Sequence, residues 1–562
     1  LVEETVCAKI SICRERVVVS KVVEWQLVFR VFVSLLPMNP SSLWRPLRTT
    51  VFRNLLLADV ISDIGAFMQS VGAAWLMVSL GAGPMYVALT QTASSLPFFL
   101  FALPAGSAGD IVDRRKLILS TEIWMTTVAF VLAVLTIAHL MTPWLLLALT
   151  FALSAGDAFE TPTWRAVLPE LVARDDLAAA SALNGIEFNL ARAVGPALAG
   201  MLIASAGIAA AFVSNVVSFF GVILVVARWK RPVRIRTAPS ETLEGATIAA
   251  IRYIRHSPKI RVLLLRTGVA MFFGSALFAL LPAVARSVGS GATGYGVLLG
   301  SFGAGGVLGA FTLQSARSRW STETVVSAGV AIVGAVMVAI SALHRLISIG
   351  PVLMIGGAAW IIFVSLISAL VQNLAPDWVR ARVLAIHLLV FQGSVALGSA
   401  TWGAVAQRAG IATALMCAGL GAIATTALVL FAKLPDATAD LSPWNHWRMP
   451  VVIQEVVPEL ERGPVLVTVE YLVAPQSRAE FLNAIHRYER IRRRDGASRW
   501  GIFHDTEVAD RYLEIFLVDS WAEHLRQHER LTQADRKLEQ RLSGYLVKEA
   551  TVTHLINAPS NE

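Results

Sequence analysis

Charge is what this sequence has least of. Only 15% of its 562 residues are Asp, Glu, Lys or Arg, and 55% are hydrophobic, giving a mean hydropathy of +0.62. Soluble globular chains carry about 25% charged residues, so a wholly soluble fold is excluded. Cysteine is nearly missing as well. Cys7, Cys13 and Cys417 form no CxxC pair, which excludes a disulfide framework and a cysteine-built metal centre. No GxxxxGK[ST] string occurs, which argues against a nucleotide-driven machine.

What is present is a series of long apolar runs from about residue 50 to 434, followed by ordinary soluble sequence. A helix needs about 20 apolar residues to cross a bilayer. Windows of that kind fall roughly at 55–80, 84–106, 116–139, 143–165, 180–206, 208–228, 261–286, 294–316, 322–344, 347–372, 380–407 and 411–433. The connectors between them alternate in charge. One set holds Arg114, Arg115 and Lys116, then Arg165 and Arg174, then the basic stretch Arg228 to Lys259, then Arg317 and Arg319, then Arg380 and Arg382. The other set holds only Arg286, Arg345 and Arg408. The positive-inside rule places the first set, and with it both chain ends, in the cytoplasm. The net charge of +9 thus reflects topology and not nucleic-acid binding.

The expected organisation is an N-terminal extension over 1–45, a six-helix bundle over 46–229 and a basic linker over 230–258. A second bundle over 259–434, a linker over 435–463 and a soluble domain over 464–556 follow. The chain begins with Leu, and its first Met is Met38. The extension carries Arg16, Lys21, Glu24 and Arg30 in an otherwise apolar run, too charged for a span, and Met38 is read as the true start. The two bundles look like a repeat at an offset of 203 residues: Gly106 with Gly309, Arg114 with Arg317, Gly195 with Gly398, Gly200 with Gly403 and Gly207 with Gly410. That predicts a substrate site between the halves near the midplane.

Two motifs carry a resemblance. In the connector GSAGDIVDRRK, Gly106, Asp110, Arg114 and Arg115 stand where the major facilitator superfamily has its loop signature between helices 2 and 3. Asp113 replaces the usual Gly. The string ARAVGPALAG, with Arg192, Gly195, Pro196 and Gly200, resembles the Gly-Pro motif of the drug–proton antiporter branch. ALPAGSAGDIVDRRK and NGIEFNLARAVGPALAG resemble the secretion-effector branch of enterobactin exporters and macrolide efflux proteins. The resemblance covers about residues 46–434. It implies an all-α membrane fold of twelve helices in two repeats, located in a bacterial inner membrane. It also implies proton-coupled export of a small amphiphilic molecule, such as a drug, siderophore or secondary metabolite. An importer or lipid flippase on the same fold is the alternative.

Charges inside predicted spans are functional candidates by default. Asp59, Asp63, Glu122, Asp157, Glu160, Arg192 and Arg266 are of this kind. Asp157 and Arg192 are expected to pair, and Arg266 to occupy the repeat position of Asp63. Two readings stand: a gate network or a proton site. Asp110 is expected to face the helix N-terminus near Asp377 and Trp378, and Arg114 to face Asp157 or Glu160. Gln69, Trp75, Gln91, Trp360 and Gln392 are candidates for a cavity lining, against a packing role.

The tail reads β-α-β-β-α-β, the ferredoxin-like order. FLVDSW followed by AEHLRQHERLT, with Trp521 and His528, resembles the antibiotic-biosynthesis-monooxygenase-like domains, which pair as dimeric α+β barrels. Dimerisation through the tail is therefore implied. His504, His524 and His528 are expected to be surface or packing histidines. The tail is read as a sensing or dimerising module, with an enzyme anchored by the membrane part as the alternative. No metal or cofactor is expected, and the partners are a small molecule, protons and the bilayer.

Overall fold

The computed structural model describes residues 43–229, 243–434, 440–442, 444 and 463–557. For residues 102, 103, 106–111, 174, 243–246, 377 and 529 it describes the backbone alone. Met38 with the extension before Leu43, most of both linkers, and the side chains of Gly106 and Asp110 lie outside the described residues.

Six long helices form the first half: α1 (Thr50–Ser79), α2 (Pro84–Ile111), α3 (Arg114–Ile137), α4 (Pro143–Leu171), α5 (Leu177–Ala206) and α6 (Ile208–Arg228). A linker helix follows, α7 (Leu243–His256). The second half holds α8 (Pro258–Ser287), α9 (Gly291–Arg319), α10 (Thr322–Ala342), α11 (Leu346–Leu374), α12 (Asp377–Ala409) and α13 (Ile411–Ala424), the last continued as a 3-10 helix to Leu430. Among the described residues, ten helices are long and apolar enough to cross a membrane. Pro84–Ile111 and Pro143–Leu171 are equally long, at 28 and 29 residues, and pack among them. Leu57, Ile61, Phe130, Val217 and Phe220 are exposed. In water they would be a liability, but on a spanning bundle they are the lipid face.

Local chemistry sets the helix ends. Asp113 caps α3, its carboxylate accepting from the Lys116 N–H at 3.1 Å. The residue that departs from the familiar Gly therefore has a use, since Asp is among the best N-cap residues. Thr142 with Pro143 starts α4, and Ser321 starts α10. Gly207 and Gly410 have φ of 84° and 88°, a region where other residues are strained. Each ends one helix and begins the next without a loop.

This matched pair keeps the 203-residue offset, and so do the starts of α4 and α11. The first three helices of each half do not. Thr50 and Pro258 open α1 and α8, and Arg114 and Thr322 open α3 and α10, both 208 residues apart. The expected matches of Gly106 with Gly309 and Arg114 with Arg317 are thus five residues out of register. Arg266 aligns with Ala58, not Asp63, and Asp110 with Ser318. Connector length is the reason: α3 is 24 residues long and is followed by five connecting residues, against 21 and three in the second half.

The halves meet along α2 with α12 and α5 with α9. Thr92 donates to the Ala396 carbonyl at 3.0 Å, and a Cβ on Gly403 would lie 2.5 Å from that of Ala88. Where α5 crosses α9, a Cβ on Gly200 would sit 3.1 Å from the Gly296 Cα. Small residues let the backbones approach this closely. Further contacts between the halves gather at the helix ends remote from the basic connectors. Arg286 donates to the Val78 carbonyl at 2.6 Å, and Trp75 stacks on Tyr295 at 6.4 Å.

The tail is a four-stranded antiparallel sheet, β1 (Val465–Leu472), β2 (Ala497–His504), β3 (Arg511–Val518) and β4 (Thr551–Ile556), in the order β2-β3-β1-β4. Alternating burial along β1 and β3 puts Val465, Val467, Val469, Tyr512 and Phe516 under α14 (Arg478–Asp495). This is the ferredoxin-like arrangement. The second helix is broken in two, α15 (Trp521–Arg530) and α16 (Gln533–Ser543), because Thr532 and Asp535 form a capping box that starts a new helix. Buried Glu514 is satisfied by Tyr471, Arg492 and Trp500.

The tail does not hang free. Arg252 of α7 pairs with Glu523 of α15. Arg494 lies over the Tyr253 ring at 5.8 Å, and Arg530 lies over Trp378 of α12. Tyr253 in turn donates to the Leu374 carbonyl at the end of α11 at 3.2 Å.

Candidate functional site

Acidic side chains from four helices of the first half converge. A helix rises about 1.5 Å per residue. Counted from the basic ends of their helices, Glu122 lies roughly 12 Å deep, Asp59 and Glu187 roughly 15 Å, Glu160 roughly 16 Å, and Asp63 and Asp157 roughly 20 Å. All six therefore sit at similar depth in the inner part of the bundle. Asp63 on α1 and Glu187 on α5 are neighbours, as are Glu122 on α3 and Glu160 on α4. Thr121 donates to Glu160 at 3.0 Å and Thr161 to Asp157 at 2.9 Å. Glu122 and Glu187 are buried, each with one carboxyl oxygen that has no hydrogen-bond partner among the described residues, while Asp157 is exposed. Among the described residues none of the six makes an ion pair.

Five of these acids were sequence candidates. Glu187 was not, because it sits inside the string NGIEFNLARAVGPALAG and was read with that motif. Its signal was available: it is an acid about seven residues inside the span predicted over 180–206, which is enough on its own.

The cations are placed differently from expectation. Asp157 and Arg192 do not pair; Arg192 is half-buried and enters no ion pair among the described residues. Arg266 is buried in the second half, bonded to Glu323 and Ser327 at 2.9 Å each and to the Ala432 carbonyl at 3.2 Å. Glu323 also accepts from the Leu434 N–H at 2.6 Å. Arg266 thus pins the chain leaving α13 to α8 and α10. Arg114 bonds Glu170 and the Ala166 carbonyl, both at 2.7 Å, rather than Asp157 or Glu160. Glu170 lies roughly 15 Å further along α4 than Glu160. Arg115 donates to the Val226 and Ala227 carbonyls at the C-terminus of α6, where a cation is favoured. The loop cations bind α3 to α4 and α6 within one half.

The glycines of the antiporter-like string pack closely against neighbouring helices. A Cβ on Gly195 would meet the Phe67 Cβ at 2.6 Å, and Gly200 faces Gly296 with the Pro196 carbonyl beside it. Of the cavity candidates, Gln69 is buried and accepts from Asn215 at 2.5 Å. Trp360 is buried against Phe278, Phe302 and Phe363. Gln91 bonds Ser95 at 3.3 Å, and Gln392 is half-buried. In the tail, Trp521, His524 and His528 are buried, and His504 is exposed.

With this geometry in hand, comparison with known proteins is direct. Residues 41–561 match the family model described as transmembrane secretion effector. The chain is 22% identical over 379 residues to the staphyloferrin A transporter of Staphylococcus aureus, covering 66% of this chain and 92% of the relative. It is 23% identical to the multidrug efflux pump Tap of Mycolicibacterium fortuitum, covering 64% and 89%. Against the enterobactin exporter EntS of Salmonella choleraesuis it is 27% identical, covering 46% and 63%. Among solved structures, a bacterial homologue of the human lysosomal transporter Spinster, inward-facing and unoccupied, superposes with a TM-score of 0.53 at 14% identity, covering 69% of this chain and 96% of that one. A peptide-bound POT family transporter superposes at 0.56 with 10% identity, covering 68% and 95%. At these identities the structures establish the fold alone.

Proposed function

Because the chain belongs to the transmembrane secretion effector family of major facilitator transporters, we propose that it exports a small amphiphilic molecule from the cytoplasm in exchange for protons. The observation that carries this reading is the convergence of Asp59, Asp63, Glu122, Asp157, Glu160 and Glu187 in the inner half of an apolar bundle. Asp63 with Glu187 and Glu122 with Glu160 are neighbouring acid pairs, and a proton on one member relieves the repulsion between like charges. A cluster of six carboxyls with no ion-paired cation among the described residues is suited to neutralisation by something mobile, and protons are the simplest such species.

The basic connectors favour the cytoplasmic side for the helix ends nearest the acidic cluster. Named contacts between halves at the opposite ends, Arg286 with Val78 and Trp75 with Tyr295, support an inward-facing state. Export then follows as rocking of the halves about α2–α12 and α5–α9. The siderophore and drug exporters among the relatives support the substrate class.

The test uses everted membrane vesicles, an imposed pH gradient and two probes, a fluorescent cationic dye and a catecholate siderophore. Wild type is expected to concentrate at least one of them only when the gradient is present. Asp63→Asn, Glu187→Gln and Asp157→Asn are expected to lose the gradient dependence. Transport indifferent to the gradient in wild type, or coupling undiminished in all three variants, overturns the reading.

A further inference from the structure

Three imidazoles meet in the tail domain, far from the acidic cluster in sequence and on a different fold. His524 and His528 lie one helical turn apart on α15, so they share a face. His554 reaches them from β4. One ring nitrogen of each lies within 4.8 Å of the other two. The Nε2 atoms of His524 and His528 are 3.3 Å apart, about the edge of a tetrahedron built on metal–nitrogen bonds of roughly 2.0–2.1 Å. Trp521 closes one side, its ring 5.4 Å from His524 and 6.3 Å from His554.

Packing alone explains this cluster poorly. His554 Nε2 is buried and has no hydrogen-bond partner among the described residues, an unfavourable arrangement unless something else binds there. Burial is the main reason that His524 is pushed down to about 3 and His528 to about 4, with neighbouring imidazoles adding to it. His554 is lowered by burial as well. A small pocket of about 10 Å³ lies beside His524 and His528, with Gln527 and Arg492 also on its wall.

We propose that His524, His528 and His554 bind one divalent transition-metal ion, with a fourth coordination position open to the pocket. An all-imidazole ligand set selects zinc, copper, nickel or iron and not magnesium or calcium. His524 bonds Gln527 through Nδ1 at 3.3 Å, the kind of second contact that fixes which nitrogen faces a metal. The same helix, α15, carries Glu523 and Arg530, which hold α7 and α12.

The test uses the purified full-length chain in detergent, without a histidine tag and stripped with a chelator. Titrated with Zn²⁺, wild type is expected to retain one ion per chain after dialysis and to ignore Mg²⁺. The double variant His528→Gln, His554→Gln is expected to bind at least ten-fold more weakly, whereas His486→Ala and His504→Ala bind as wild type. Loading wild type with Co²⁺ gives an answer that needs no variant. An intense visible ligand-field band marks low-coordinate nitrogen ligation and supports the site. Only the weak spectrum of the aquated ion, no stoichiometric Zn²⁺, or binding unchanged in the double variant overturns it.

Discussion

The Arg530 guanidinium lies 4.7 Å from the centre of the Trp378 indole, so a side chain of the tail rests on the first turn of a transport helix. Trp378 also meets Tyr253 of the linker helix edge-on at 5.6 Å. One indole therefore joins three parts of the chain that are far apart in sequence. Trp378→Leu is expected to loosen the tail by about 1 kcal/mol, the scale of one such contact. Hydrogen exchange by mass spectrometry on the full chain should report roughly five-fold faster exchange in α7 and α15. Trp378→Phe should recover part of the protection, since a smaller ring still offers its face.

Arg114 is expected to be structural in its effect. It holds Glu170 and the Ala166 carbonyl through one nitrogen. Arg114→Ala deprives a largely buried carboxylate of that guanidinium, at a cost of about 3 kcal/mol. The thermal midpoint of the purified protein should fall clearly, Glu170→Gln should fall less, and Arg114→Lys should recover part of the loss.

The crossing of α5 and α9 sets a size limit. A methyl on Gly200 already comes within 3.1 Å of the Gly296 Cα. Gly200→Ala should reduce efflux moderately, because the backbones must give by tenths of an ångström. Gly200→Val should abolish it while the protein still reaches the membrane, as shown by immunoblot of the membrane fraction beside the vesicle assay.

Acid should destabilise the metal-free tail early. His524 and His528 titrate near 6.5 when unfolded but are pushed down to about 3 and about 4 in the fold. Below about pH 6.5 the unfolded state therefore binds protons that the folded state refuses. Stability is full above that pH and falls steadily toward pH 4. Melting of the chelated full chain, followed by the near-ultraviolet signal of the tail, should show this slope. His524→Gln should flatten it.

Much of this was legible from residue order. The apolar runs, their caps and the basic connectors fix the helices, since lipid leaves the backbone no alternative. The period-2 pattern of VLVTVEYLV gives β1 its buried face. The repeat was visible but misplaced in its first three helices, because glycine matches carry no information about connector length. Arg266 was assigned to the wrong neighbourhood for the same reason. The partners of Arg114 and Arg252 were not legible at all. Glu523 is 271 residues from Arg252, and nothing in a local pattern selects it among many acids. His554 escaped notice because a lone histidine in a strand looks like any other. Only the fold brings it to α15.

The linker helix α7 packs against α8, α12 and the tail helix α14. All three belong to the second half or to the domain that follows it. If the halves rock, the tail is carried with the second half as a single heavy platform, and the first half is the lighter moving arm. The six acids lie wholly in that arm, so rocking would move them relative to the soluble domain.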